Sequence, residues 1–230
     1  MNTVSETPYS MCEGSLLYNT DCMKIMPFIS DKYFDLAIID VPYGIGQGGD
    51  KNHTRKSADF PKVGGKKYHT FMDKNPPDEK YWQELFRISK NQIVWGANHF
   101  ISRLPYDSSC WIVWDKNNYG CDFADCELAW TSFKTAVRKF KFTWNSMLQE
   151  DMKNKEIRIH PAQKPVKLYE WLLQKYAKAG DKILDTHAGS GSSRIAAYRL
   201  GFEFTGVEID RYYCEISTKR FLSEVLDSSV

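Results

Sequence analysis

The sequence has no long apolar run. Its longest apolar stretches reach five or six residues, too short to cross a bilayer as a helix. It lacks a basic start followed by an apolar segment, so no signal peptide is expected. It also lacks paired cysteines. The six, at 12, 22, 110, 121, 126 and 214, are scattered, and Cys121 and Cys126 have no second pair to complete a metal cage. Reduced thiols in a cytoplasmic protein are the expectation, with no metal site. There is no internal repeat and no low-complexity tract, and the net charge is only +2 over 230 residues. These absences argue against membrane-spanning helices, disulfide scaffolds and repeat arrays.

Enough apolar residues are present, 42%, for the core of one sizeable domain. Charge is scarce in sum but uneven in place. Residues 51–70 carry net +5 and residues 134–158 net +4, which leaves −7 for the rest. Two basic segments on an acidic body suit a face that meets a polyanion. The plainer reading is solvated loops. Residues 44–75 show no periodicity and read as a long loop, a length that is usually functional or disordered.

Short apolar runs alternate with helical patterns. Strands are expected at 15–19, 36–39, 92–96, 111–115 and 126–130, and a short helix after Asp21 to about Ile29. Pro76-Pro77 should open a helix with Tyr81, Trp82, Leu85 and Phe86 on one face. A second helix, "KPVKLYEWLLQKYAKAGD", should stop at Gly180, and a last one should run from Tyr212 to Leu226. This alternation predicts an α/β fold with a doubly wound, mostly parallel sheet.

Two stretches carry chemistry. "DLAIIDVPYGIG" is a buried strand that ends in Asp40-Val41-Pro42-Tyr43 and then glycines. A carboxylate, a proline and a tyrosine at a strand end suit a site that holds a flat ring bearing an amine. "KILDTHAGSGSS" is a strand ending at Asp185, then a turn through Gly189 and Gly191 into a helix. Glycines let the backbone approach a ligand, and the helix N-terminus favours polar groups. The next strand ends in Glu208, placed to accept bonds from ribose hydroxyls. Arg194 stands where a dinucleotide fingerprint wants its third glycine and would crowd close helix–strand packing, and Asp185 would repel a pyrophosphate but attract an ammonium. The spacing therefore favours S-adenosylmethionine over a nicotinamide dinucleotide.

"DVPY" and "DTHAGSGSS…GVEID" resemble the catalytic and cofactor motifs of DNA amino-methyltransferases, whose catalytic motif usually reads Asp-Pro-Pro-Tyr. The catalytic motif comes first here, which resembles the circularly permuted β class. "YNTDC" and "RIHPAQKPVKLYEWLL" resemble further segments of that class, and the likeness covers most of residues 15–222. In compactness it is similar to the phage or prophage type. The resemblance implies a Rossmann-like methyltransferase fold as a single domain, with 44–75 and 134–158 as inserted loops that contact DNA.

It also implies roles. Asp185, Thr186, Gly189 and Gly191 would lie along the methionine part of the cofactor, and Ala188, Ser190 and Asp40 would also bind it. Glu208, with Ile209 beside it, would hold the ribose, and Asp21 and Cys22 would lie near its adenine. Gln163 and Lys164 would reach its carboxylate end. Asp40, Val41, Pro42 and Tyr43 would hold the target base, with the Val41 carbonyl as a second acceptor for the amine. Lys51, Arg55, Lys56, Lys66, Lys67, Arg138, Lys139 and Lys141 would hold phosphates of double-stranded DNA. Phe140, Phe142 and Trp144 would either close over the base or pack in the core. His160 reads as structural, and Trp95–Phe100 either lines the pocket or only packs.

The implied reaction is methylation of adenine N6 after base flipping, because serine commonly replaces the aspartate in cytosine-N4 enzymes of this kind. Cytosine-N4 transfer, a silent DNA-binding protein of the same fold and, more distantly, a nicotinamide oxidoreductase are the alternatives. The class leaves room for a homodimer and for a restriction-endonuclease partner.

Overall fold

In a computed structural model, the structure describes residues 6–46, 68–70, 75–118, 124–145 and 148–226. In chain order its elements are β1 (Ser10–Cys12), β2 (Ser15–Asn19), β3 (Phe34–Ile39), α1 (Glu79–Ile88), β4 (Ser89–Trp95), β5 (Ile112–Asp115), β6 (Cys126–Thr131), β7 (Arg138–Lys141), β8 (Trp144–Asn145), β9 (Leu148–Gln149), α2 (Val166–Tyr176), β10 (Lys182–Asp185), α3 (Ser192–Arg199), β11 (Glu203–Glu208) and α4 (Arg211–Leu226).

Nine strands form one sheet in the order β1-β2-β11-β10-β3-β4-β6-β5-β7. The middle, from β2 through β11, β10 and β3 to β4, is parallel throughout. Only β1 and β6 run against it. Strand residues alternate between two cores, as the two-residue period of a strand requires. Leu36, Ile38 and Ile183 face α2, α3 and α4, with Leu172, Ile195 and Phe221. Ala37, Ile39 and Leu184 face α1, with Tyr81, Trp82 and Leu85. Each large apolar side chain so buried contributes about 1.5–3 kcal/mol relative to exposure. A sheet covered on both faces is the doubly wound arrangement expected.

The strand order reverses between β10 and β3. The β10–α3–β11 unit winds one way and the β3–α1–β4 unit the other, with their helices on opposite faces. Sheets of this kind bind ligands in the crevice at the carboxyl ends of strands where the order reverses. Asp40 and Asp185 stand at those two ends.

Four expectations change. The short helix after Asp21 is two 3-10 turns, Cys22–Lys24 and Met26–Phe28; Pro27 has no N–H to carry one continuous helix across. Helix α2 stops at Tyr176, not Gly180. Ala177 turns extended, and Lys178 and Asp181 close a separate turn by bonds of 2.8 and 3.0 Å. Residues 134–158 are not merely a loop, because they supply the edge strand β7 and the β8–β9 hairpin. Arg194 does not crowd α3. Its buried guanidinium donates to Ser15 Oγ at 2.8 Å and Ser10 Oγ at 3.1 Å and lies 4.0 Å over the Phe221 ring. The space a third glycine would leave is filled by a bonded cation.

Candidate active site

The glycine turn is held from several sides. Ala188 N–H donates to Val207 O at 2.9 Å, and Gly189 N–H to Glu208 Oε2 at 2.8 Å. Gly191 caps α3 at φ +75°, where a side chain is strained, and a Cβ there would sit 3.3 Å from Ser217. Asp210 N–H donates to Glu208 Oε1 at 2.8 Å, so both oxygens of that carboxylate are fixed by backbone. Asn19 was not foreseen; its amide donates to Glu208 O and Ile209 O and ties β2 to the end of β11.

Asp185 is buried. Its Oδ2 accepts from Ser193 Oγ at 2.5 Å and its Oδ1 from His187 N–H at 3.0 Å. Burial pushes this carboxyl up to about 7, against those two donors and with help from the Asp40 and Glu208 charges. Beside it opens a small cleft lined by Asp21, Cys22, Thr186, His187, Glu208 and Ile209. Five of these six residues are ones the sequence assigns to a cofactor. His187, the sixth, is held neutral because burial lowers its pKa to about 4. Thr186 Oγ1 bonds Tyr81 OH at 2.6 Å and His187 Nδ1 at 2.9 Å, which fixes the cleft floor to α1. Burial likewise pushes the Cys22 thiol up to about 12, helped by the Asp21 charge, so the thiol is uncharged. Ala188 and Ser190 lie behind the turn: Ala188 packs with Leu17 and Cys214, and Ser190 O accepts from Arg220 at 3.0 Å.

At the end of β3 both Asp40 oxygens are engaged. Tyr43 OH donates to Oδ1 at 2.6 Å, and Lys164 Nζ lies 2.5 Å from Oδ2. The Tyr43 ring lies across Gly96 and stacks on His99, with centroids 5.1 Å apart. Burial, then the Asp40 charge, holds the Tyr43 hydroxyl well above the usual range, so it remains a donor. The Trp95–Phe100 stretch therefore does more than pack: it forms the wall behind Tyr43. Val41 is buried in the core on the α1 side.

Lys164 is 4% exposed and lies 3.1 Å from Glu127 Oε2 as well. Burial alone would lower its pKa, but Asp40 and Glu127 outweigh it and the net shift is upward. Glu127 also pairs with Lys116. Burial opposes its ionisation, yet the two lysines hold it at about 2. Neither Lys116 nor Glu127 was singled out from sequence. Gln163, expected at the cofactor, instead spends its amide on its own loop: Oε1 accepts from Ile159 N–H and Nε2 donates to Ile157 O. His160 is structural here. Its Nδ1 accepts from Ala162 N–H, its ring meets the edge of Tyr213, and burial lowers its pKa to about 3.

Of the expected DNA contacts, Lys51, Arg55, Lys56, Lys66 and Lys67 lie outside the described residues. Arg138, Lys139 and Lys141 are exposed on β7, four strands and roughly 19 Å from β3 at ordinary strand spacing. Phe140, Phe142 and Trp144 do not stand ready over a base. They pack on the core, Phe140 against Trp171 at 5.3 Å and Trp144 with its indole N–H on Gln163 O. Among the described residues no group of acidic, histidine and cysteine side chains could hold a metal, and no helix is long and apolar enough to cross a membrane.

A family model described as "DNA methylase", for the N6/N4 group, matches residues 114–219. That span holds Glu127, Lys164 and the glycine turn. The Type II methyltransferase M2.DpnII of Streptococcus pneumoniae is 25% identical, over 94% of this chain and 93% of its own. In shape the chain is similar to the M1.HpyAVI–SAM complex (TM-score 0.53, 19% identity, 89% of this chain and 98% of that one). It is similar also to the PvuII cytosine-N4-specific DNA methyltransferase (TM-score 0.62, 14% identity, 95% and 90%). The family the motifs resemble, the N6/N4 DNA methylases, is thus the one that comparison finds. The fold is that of the S-adenosylmethionine-dependent DNA methyltransferases, and two of the solved structures it resembles hold S-adenosylmethionine.

One substitution tests the wall behind Tyr43. A Cβ on Gly96 would fall 2.1 Å from the Tyr43 ring, at φ +67°. Gly96→Ala should lower stability by about 1–2 kcal/mol from the backbone alone, plus the cost of moving the ring. Urea denaturation measures it, and an unchanged midpoint would contradict the geometry.

Proposed function

We propose that the chain transfers a methyl group from S-adenosylmethionine to the N6 amine of adenine in double-stranded DNA. The observation that supports this reading is the parallel pairing of β10 with β3, which brings together the strand ends that carry Asp185 and Asp40, next to the cleft lined by Thr186 and Glu208.

The cleft chemistry fits the cofactor. Glu208 offers acceptor lone pairs to ribose hydroxyls, since two backbone bonds leave room on a carboxylate. Asp21 and Cys22 border the adenine, and Ile209, 63% exposed at the lip, offers it an apolar edge. Asp185 faces the methionine ammonium. When bound, the cofactor supplies an electrophilic methyl on sulfur.

The chain's own residues then act on the base. The amine nitrogen of adenine is a weak nucleophile because its lone pair is delocalised into the ring. Two acceptors on its two hydrogens, Asp40 Oδ1 and the Val41 carbonyl, aim that lone pair. The amine takes the place of the Tyr43 hydroxyl on Oδ1, and Tyr43, once released, stacks on the ring. Stacking of a base on an aromatic side chain is worth about 1–3 kcal/mol, comparable to the few kcal/mol of unpairing. Pro42 restricts Val41 to extended conformations, which keeps the carbonyl aimed. Alignment alone supplies about 7–11 kcal/mol in favourable systems. The basic segments, Arg138, Lys139 and Lys141 among them, bind phosphates with salt-dependent affinity. Aspartate at position 40, rather than serine, favours adenine over cytosine.

Incubation with methyl-labelled cofactor and DNA, followed by digestion, identifies the product. N6-methyladenine is expected, and Asp40→Ala should abolish transfer while cofactor affinity survives. Methylcytosine as the sole product would overturn the base assignment. Loss of cofactor binding in Asp40→Ala would overturn the division of labour.

Asp185 adds a pH dependence. Its carboxyl is pushed up to about 7 in the free protein, and an ammonium partner favours the ionised form, so cofactor binding releases a proton below that pH. Affinity should rise from about pH 5.5 to 7, by at most about tenfold per unit, and level off above. Calorimetric titrations check it; affinity independent of pH across that range would remove Asp185 from the ammonium.

A further inference from the structure

The buried ammonium of Lys164 lies among three oxygens: it bonds Asp40 Oδ2 at 2.5 Å and Tyr43 OH at 3.4 Å, and it pairs as an ion with Glu127 Oε2 at 3.1 Å, an oxygen with no formed hydrogen bond. It therefore engages one oxygen of Asp40 and leaves the other to Tyr43 OH. Without a second carboxylate beside it, the lysine's compact charge on its flexible stem is free to move between the two Asp40 oxygens. That would occupy the lone pairs an incoming amine needs. What draws Lys164 aside is Glu127, which comes from β6, a strand clamped between β4 and β5. Its second oxygen is fixed by Lys116, one residue past the end of β5. The cluster of Asp40, Glu127, Lys116 and Lys164 is neutral in sum, so its buried charges compensate one another.

We propose that Glu127 is a positioning residue for the transfer: by holding Lys164 to one side, it keeps the ammonium off Asp40 Oδ1, so that the base amine has only the Tyr43 hydroxyl to displace there. The assignment rests on the methyltransferase reading. Glu127 touches neither cofactor nor base and acts through Lys164. Lys164 thereby changes role as well. Expected at the cofactor carboxylate, it serves the base-binding carboxylate instead.

The test uses Glu127→Gln and Glu127→Asp in the full chain. With cofactor and DNA saturating, Glu127→Gln should lower the transfer rate by about 100-fold, the scale of a misplacement near 1 Å. Affinities for S-adenosylmethionine and DNA should stay near those of the wild type. Glu127→Asp keeps the charge on a shorter stem and should fall between the two. A wild-type rate in Glu127→Gln overturns the proposal, as does equal impairment in both variants or a rate loss matched by a loss of cofactor affinity. If Glu127→Gln does not fold, Glu127→Asp decides: a lowered rate at unchanged cofactor affinity supports the proposal, and an unchanged rate overturns it. A crystal structure of the folded variant gives a readout without activity. Lys164 bridging both Asp40 oxygens supports the claim, and Lys164 in its present place refutes it. Should the wild type transfer no methyl to DNA, the function fails while this geometric test stands on its own.

Discussion

The parallel pairing of β3 with β10 is the contact on which the site depends. One strand ends in Asp40 and the other in Asp185, and the chain reverses its winding between them. Everything else at the site is set by what these two strands carry forward. The turn after β10 wraps toward Glu208, and the turn after β3 folds Tyr43 back over Gly96. Since α1 and α3 lie on opposite faces, the crevice between the strand ends stays open without any special device.

Two carboxylates close to one another in a buried site cannot be treated alike, and the surroundings separate them. Asp40 is matched to a buried lysine, with a second carboxylate and a second lysine behind it. Asp185 has only neutral donors, Ser193 Oγ and His187 N–H, and its carboxyl is pushed up to about 7. One carboxylate thus has its counter-charge within the protein. The other would gain its counter-charge from the proposed cofactor's ammonium. Groups whose environments drive them apart in this way commonly mark acid–base or binding roles.

The readable parts of this fold are those whose signal is local. Strand β3 with Asp40, and the strand–turn–helix from Lys182 to Arg199 with Glu208 beyond it, depend on residues a few positions apart. The Lys116–Glu127–Lys164 cluster was not legible, because its members come from three separate elements and no spacing links them. β7 reads as a loop in sequence for a related reason. Three of its four side chains are charged and exposed, and only Phe140 turns to the core. The aromatic residues at 140, 142 and 144 carried both readings in sequence; packing against Trp171 and the Gln163 backbone decides for the core. Gln163 shows the limit of a motif, since its position matches but its amide is consumed by the loop that carries it.

The central claim is that cofactor and base occupy separate half-sites on neighbouring strands. Titrating Glu208→Ala with S-adenosylmethionine and, separately, with DNA tests it most directly. Loss of two charge-assisted bonds to ribose should weaken cofactor binding by about 3 kcal/mol or more, roughly 100-fold, with DNA affinity unchanged. Unaltered cofactor affinity, or a parallel loss of DNA binding, would contradict the account.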